Sequence, residues 1–529
     1  MALKSPHNAW RLNIISPVDV RAVGLDQLLT RVWLRLLFDN RPLQARPNAL
    51  QTVAELANEI ERPSNEHFRG FAEAVGAAET WLRADLVKTL RRAPEKFTVA
   101  RPVHALATRI RSIDRQTEDS SASLAIYSWI AYVDPTLLDE LREFIDIDME
   151  QESADLPTYA LALLGSEQPG DMEKSDTPEV VPRPVCLGQA KTYADDVRRL
   201  LAYRESVPRS ALVDHLRRLT GFHLGLYLLR VFRATVEVEQ NGHRSCEACR
   251  AGVAPEIDTC PYRLELLADC GENARADIAK LAEDSWAKQE DYLARYVRSH
   301  LALKKLHEFA EYLAKNRPME APPFSTLEEI AAVEQSSRSE VIDLFFDQRI
   351  DQVIRDSGGA DEAERFSELD RDYRAMGLSP FRVYVALLAH SSERRWFNYH
   401  RQLLDYLLSK NSADGALRQP LGGKRRRRVA PGAALLETLA LISVVADSKD
   451  GYFTRPLRVD ELIERLDSRY NLLVGRPPES LADDLEANRL VAGNVERFKA
   501  RLRETGLFTD LSDAFLAQLV RPRHMIAKR

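Results

Sequence analysis

The chain has 529 residues, with 74 Lys and Arg against 80 Asp and Glu, a formal charge of −6. Its 45% hydrophobic content is near the globular average and suits three or four units of roughly 100 to 200 residues, which excludes a disordered, collagenous or disulfide-stapled chain. A slightly acidic whole-molecule field does not draw in a polyanion, so any nucleic-acid contact must be local. Cysteine numbers only five, with four between Cys246 and Cys270, which predicts a reducing, cytoplasmic context. The stretch Met1 to Trp10 lacks an apolar signal core, and no run of about 18 apolar residues occurs.

Periodicity predicts a mostly α, multidomain protein. Residues 1–165 form a helical N-terminal domain: Leu28, Leu29, Val32, Trp33, Leu36 and Leu37 line one helix face, with further stripes through Val53 to Ile60 and Leu82 to Leu90. Pro42, Pro63, Pro94 and Pro102 punctuate them. Residues 166–188, rich in proline, acid and small polar residues, form a linker. A second helical domain covers 189–316, with a Cys-rich knuckle at 243–270 and a long helix at 276–315. Its runs Ser210–Thr220 and Phe222–Phe232 meet at Thr220-Gly221 like a helix-turn-helix. The second run is too apolar to present polar groups to base edges, which favours a buried core helix. A helical domain at 324–410 and a basic flexible linker at 411–430 follow. Residues 431–529 give helix, helix, short apolar segment, helix and apolar tail, compatible with a winged-helix-like module.

Two local signals carry chemistry. Cys246 and Cys249 make a C-x2-C knuckle that aims two thiolates at one tetrahedral cation, and Cys260 supplies a third sulfur ten residues on. The fourth ligand is open between Cys270 and His243, and a closed set would make the ion a structural zinc. The alternatives are ordinary buried thiols, or a zinc-dependent enzyme acting on nucleic acid with Glu247 or Asp269 as base. The second signal is Lys424, Arg425, Arg426, Arg427 and Arg428, an arm able to neutralise phosphates and displace counterions. It equally suits a solvated linker or an acidic protein partner. Phosphate-loop, H-E-x-x-H, G-x-S-x-G and dinucleotide fingerprints do not occur in the sequence.

The text from Thr454 to Leu462, Arg469-Tyr470, and Gly506 to Phe515 resembles helical accessory proteins of bacterial anti-phage defence operons, specifically the methylation-associated defence system. That resemblance implies a subunit working beside a methyltransferase, a nuclease and ATPases, and transfers no catalytic residue. The sequence therefore predicts a non-enzymatic DNA-engaging or scaffolding subunit whose partners are other subunits of a defence complex and DNA. A membrane or a small-molecule substrate is not among its expected partners. A pure protein scaffold without DNA contact is the alternative.

Overall fold

The computed structural model describes residues 10–20, 23–41, 52–74, 76–90, 93–109, 121–146, 155–163, 178–271, 273, 276–316, 324–336, 339–420, 426–449, 451–509 and 518–528. The protein is mostly helical. Its N-terminal part contains α1 (Leu25–Leu37), α2 (Val53–Ile60), α3 (Ala77–Trp81), β1 (Val87–Leu90), β2 (Ala93–Ala100), α4 (Ala122–Val133), α5 (Thr136–Ile145) and α6 (Leu156–Leu163). The α1 stripe buries Leu28, Leu29, Val32, Trp33 and Leu36, and the Trp33 indole donates to the Pro102 carbonyl at 2.8 Å. A capping box between Thr52 and Glu55 starts α2. The helical stripe expected to run to Leu90 stops earlier. Val87 to Leu90 turns extended and pairs antiparallel with β2, Val87 opposite Ala100. The β-branched Val87 and Thr89 suit a strand, and Pro94 bars a helix from continuing.

The central part begins with α7 (Leu187–Leu201), α8 (Arg209–Asn241), α9 (Glu247–Ala251), β3 (Leu266–Leu267) and α10 (Asp277–Asn316). It continues with α11 (Leu327–Ser336), α12 (Ser339–Arg355), α13 (Ala360–Ala375) and α14 (Pro380–Leu407). The two apolar runs that suggested a helix-turn-helix are one helix, α8, of 33 residues. Gly221 serves packing there. A Cβ at this position would lie 2.6 Å from the Leu407 carbonyl oxygen, and one at Gly225 would lie 2.5 Å from the Leu408 side chain. Glycine thus lets the end of α14 approach the α8 backbone closely. The 40-residue α10 spans roughly 60 Å at its rise per residue and packs against both α8 and α14. α14 opens on Ser379, whose hydroxyl accepts the Arg382 N–H, with proline in its first turn.

The C-terminal part holds β4 (Leu417–Arg418), β5 (Arg428–Val429), α15 (Ala433–Ser443), β6 (Val445–Ser448), β7 (Gly451–Thr454) and β8 (Leu457–Arg458). After these come α16 (Val459–Tyr470), β9 (Leu472–Leu473), α17 (Leu485–Glu504), β10 (Phe508–Thr509) and β11 (Leu519–Val520). β6 and β7 form a hairpin. β8, β11 and β10 form an antiparallel sheet with β11 in the middle. β9 instead pairs parallel with β3, and Ala268 bridges to Val429, so the C-terminal part is stitched to the Cys-rich segment through backbone hydrogen bonds. One buried apolar cluster runs from Trp10 through α8 and α10 to Val520. Among the described residues no helix is long and apolar enough to cross a membrane.

Five histidines are buried among the described residues, and three of them, His215, His300 and His400, are held far below their ordinary pKa. The His300 ring stacks on Trp10 at 4.3 Å, its Nε2 bonding the Trp10 carbonyl at 2.7 Å and its Nδ1 meeting the Tyr296 hydroxyl at 3.0 Å. Burial holds His300 down at about 3, and His400 and His215 at about 4, against an ordinary 6.5. Groups with lowered folded pKa values contribute full stability above 6.5 and lose it as pH falls towards the folded value. Each should therefore forfeit about 2 kcal/mol between pH 6.5 and 5. Urea titrations across that range should show a steep loss in the parent protein and a shallower one in His300→Gln. Parallel slopes would refute the assignment.

Candidate metal centre and C-terminal module

Cys246 precedes the single turn of α9, which ends on Gly252 at φ +86°. This left-handed residue turns the chain back towards Cys260. Three of the four expected ligands, Cys246, Cys249 and Cys260, converge. The fourth sulfur is Cys186, at the start of α7, which the spacing did not single out. Cys186 contacts Cys249 and Cys260, and Cys246 contacts the same two, so the four sulfurs close a ring. All four cysteines are buried. The Leu187 and Gly188 N–H groups bond the Cys249 sulfur, the Cys249 N–H bonds that of Cys246, and the Tyr262 N–H bonds that of Cys260. Hydrogen bonds from Cys186 and Cys246, followed by those backbone amides, hold the Cys249 thiol well below its ordinary range. Among the described residues no group of three or more His, Cys, Asp or Glu side chains stands in a metal-holding arrangement.

Cys270 lies elsewhere. Its N–H bonds Asn494 on α17 at 3.0 Å, Arg497 and Arg501 stand nearby, and burial pushes its thiol up to about 12. His243 is exposed, with Nδ1 against the Asn241 carbonyl at 3.0 Å. Glu247 is exposed, and Asp269 is engaged by Arg428.

Two arginines flank the sulfur ring. Arg230 on α8 is fully buried; it donates to Gln189 at 2.6 Å and Asn471 at 2.7 Å, its Nε is unbonded, and no carboxylate pairs with it among the described residues. Burial lowers its pKa, and the neighbouring Cys186 and Cys260 oppose that. Arg244 is held by Glu328 at 2.7 Å, with Cys249 nearby.

The basic run divides. Lys424 and Arg425 lie outside the described residues. Arg426 is exposed and faces Asp284 at 3.3 Å, whereas Arg427 is clamped by Asp405 through two bonds of 2.7 Å. Arg428 is fully buried, paired with Asp269 at 2.7 Å and near Glu283 at 3.8 Å. Two of the arm's three described residues are therefore built into the interior. On α17, by contrast, Arg489, Ala492, Gly493 and Arg497 are exposed, while Ala487, Val491, Asn494, Phe498 and Leu502 face inward. A polar cavity of about 530 Å³ separates α7, α15 and α16; in it Arg199 pairs with Asp447 and Arg469 with Asp195, while Arg465 donates to the Ser443 carbonyl.

A family model described as methylation-associated defense system protein MAD7 matches residues 5–524. The chain belongs to that family. It is accordingly a component of a methylation-associated defence system, as the C-terminal resemblance implied, and other subunits of that system are its indicated partners. No curated protein and no solved structure matches it.

Proposed function

We propose that this MAD7-family chain is a non-enzymatic subunit that engages DNA through a C-terminal winged-helix module. The observation carrying this reading is the strand order. A winged helix runs helix, strand, helix, helix, strand, wing, strand, with the last strand between the other two. Here α15, β8, α16, α17, β10 and β11 follow that order, and β11 lies between β8 and β10. The β6–β7 hairpin and β9 are additions to it. In such a module the last helix enters the major groove, where α17 offers Arg489 and Arg497 to phosphates or bases while Ala492 and Gly493 let its backbone approach. Lys424 and Arg425, which lie outside the described residues, would add phosphate contacts.

A second reading, a scaffold for protein partners without DNA, is favoured by the commitment of Arg427 to half-buried Asp405 and of Arg428 to buried Asp269. Equilibrium binding to a labelled duplex at several salt concentrations separates the two. The DNA reading predicts affinity that falls steeply with salt. Arg489→Ala with Arg497→Ala should weaken it about tenfold or more at low salt and reduce the salt slope by about 2. No binding at low salt would reject the DNA reading and leave the scaffold, whose mark is stable co-purification with another subunit.

A further inference from the structure

We propose that Cys186, Cys246, Cys249 and Cys260 form a tetrathiolate site for a structural zinc ion, with Cys186 as the fourth ligand in place of Cys270 or His243. The site does not depend on the DNA reading. Three features of the geometry point to it. Each sulfur neighbours two others, so four buried cysteines from two separate chain segments meet in one place, the donor set that a tetrahedral zinc site uses. Three of the sulfurs accept backbone N–H bonds, the pattern that stabilises thiolate charge at a knuckle. Finally, Arg230 is a fully buried guanidinium with no carboxylate partner among the described residues, and its nearest anionic candidates are Cys186 and Cys260.

That third feature is independent of the cysteine spacing. A buried unpaired cation is costly, and neutral thiols do not compensate it. Four thiolates around Zn²⁺ carry a net charge of −2, which Arg230 offsets in part, Arg244 being already paired with Glu328. Binding is written Zn²⁺ plus four Cys–SH giving Zn(S–Cys)₄ with charge −2 and four protons released to solvent; four S–H bonds break and four Zn–S bonds of about 2.3 Å form, without redox change. With all four positions filled by protein the ion has no open site for substrate, so its role is to fasten the start of α7 to the segment from Cys246 to Tyr262.

Metal analysis of the full chain purified without added metal should give about one zinc per molecule. Cys186→Ser should lose it, and Cys270→Ser should keep it. Should Cys186→Ser not fold, the parent protein alone suffices. Titration with a mercurial reagent should release one zinc per four thiols, and Co²⁺ exchanged into the site should give the intense visible bands of tetrahedral thiolate ligation. A folded, metal-free protein overturns the proposal, whether its thiols are free or joined as disulfides. So does zinc that survives Cys186→Ser and is lost in Cys270→Ser.

Discussion

Replacing Arg428 by alanine should destabilise the fold by about 3 to 5 kcal/mol, the cost of leaving one member of a buried ion pair without its partner. Both Arg428 and Asp269 are fully buried, 2.7 Å apart, and the Asp269 N–H also bonds the Val429 carbonyl at 2.9 Å. Losing the guanidinium strands the Asp269 carboxylate, which then keeps only the Gly271 N–H at 2.9 Å as a partner among the described residues. The effect should be read as a shifted urea midpoint with an unchanged slope. The double variant Arg428→Met with Asp269→Leu should recover most of the loss, because removing both charges also removes their desolvation cost. An Arg428→Ala protein within 1 kcal/mol of the parent would show that the pair does not bear on stability.

This has a direct bearing on tests of DNA binding. Neutralising all five residues from Lys424 to Arg428 mixes lost phosphate contacts with unfolding. A clean test changes Lys424, Arg425 and Arg426 and leaves Arg427 on Asp405 and Arg428 on Asp269.

The sequence was most informative where local periodicity and tertiary packing agree. The apolar stripe from Ala276 to Lys315 gave α10 to within a residue at each end, because an uninterrupted helix needs no distant information. Gly221 was ambiguous, because a turn glycine and a glycine that admits another helix end are the same letter; only the nearby Leu407 carbonyl distinguishes them. The basic run was misleading in the same way. Charge is visible in the text, but its compensation by Asp405, Asp269 and Glu283 depends on contacts 22 to 159 residues away.

The cysteines show the limit most clearly. C-x2-C and the third cysteine are a local pattern, and the structure brings those three together. Cys186 is remote in sequence and stood within a segment read as linker. The available signal was apolar: Val185, Cys186 and Leu187 break the polar text of that segment and are all buried. Cys270 was the nearer candidate by spacing, yet β3 carries it to Asn494 on α17.

The second large effect expected is at Asp196 on α7, which gathers three donors from α8 and α16. Its Oδ2 accepts the His223 Nε2–H at 3.0 Å and the Tyr470 hydroxyl at 2.7 Å, while Oδ1 takes Arg469. His223 passes the network on through Gln189 at 2.6 Å to Arg230. Despite burial, which opposes ionisation, Arg469 and the hydrogen bonds hold this carboxyl down at about 2. Asp196→Asn keeps the shape but removes the charge and turns an amide towards donors, so it should cost about 3 to 5 kcal/mol at neutral pH. The sign of its pH dependence follows from the depressed pKa. The carboxylate's contribution is complete above the ordinary 3.8 and is lost as pH falls from there towards 2. The gap between parent and Asp196→Asn should therefore narrow by about 1 kcal/mol between pH 5 and pH 3. Tyr470→Phe, which removes one donor and leaves Arg469 in place, should cost only about 1 kcal/mol. A gap that stays constant with pH would mean that Asp196 is not held ionised by this network.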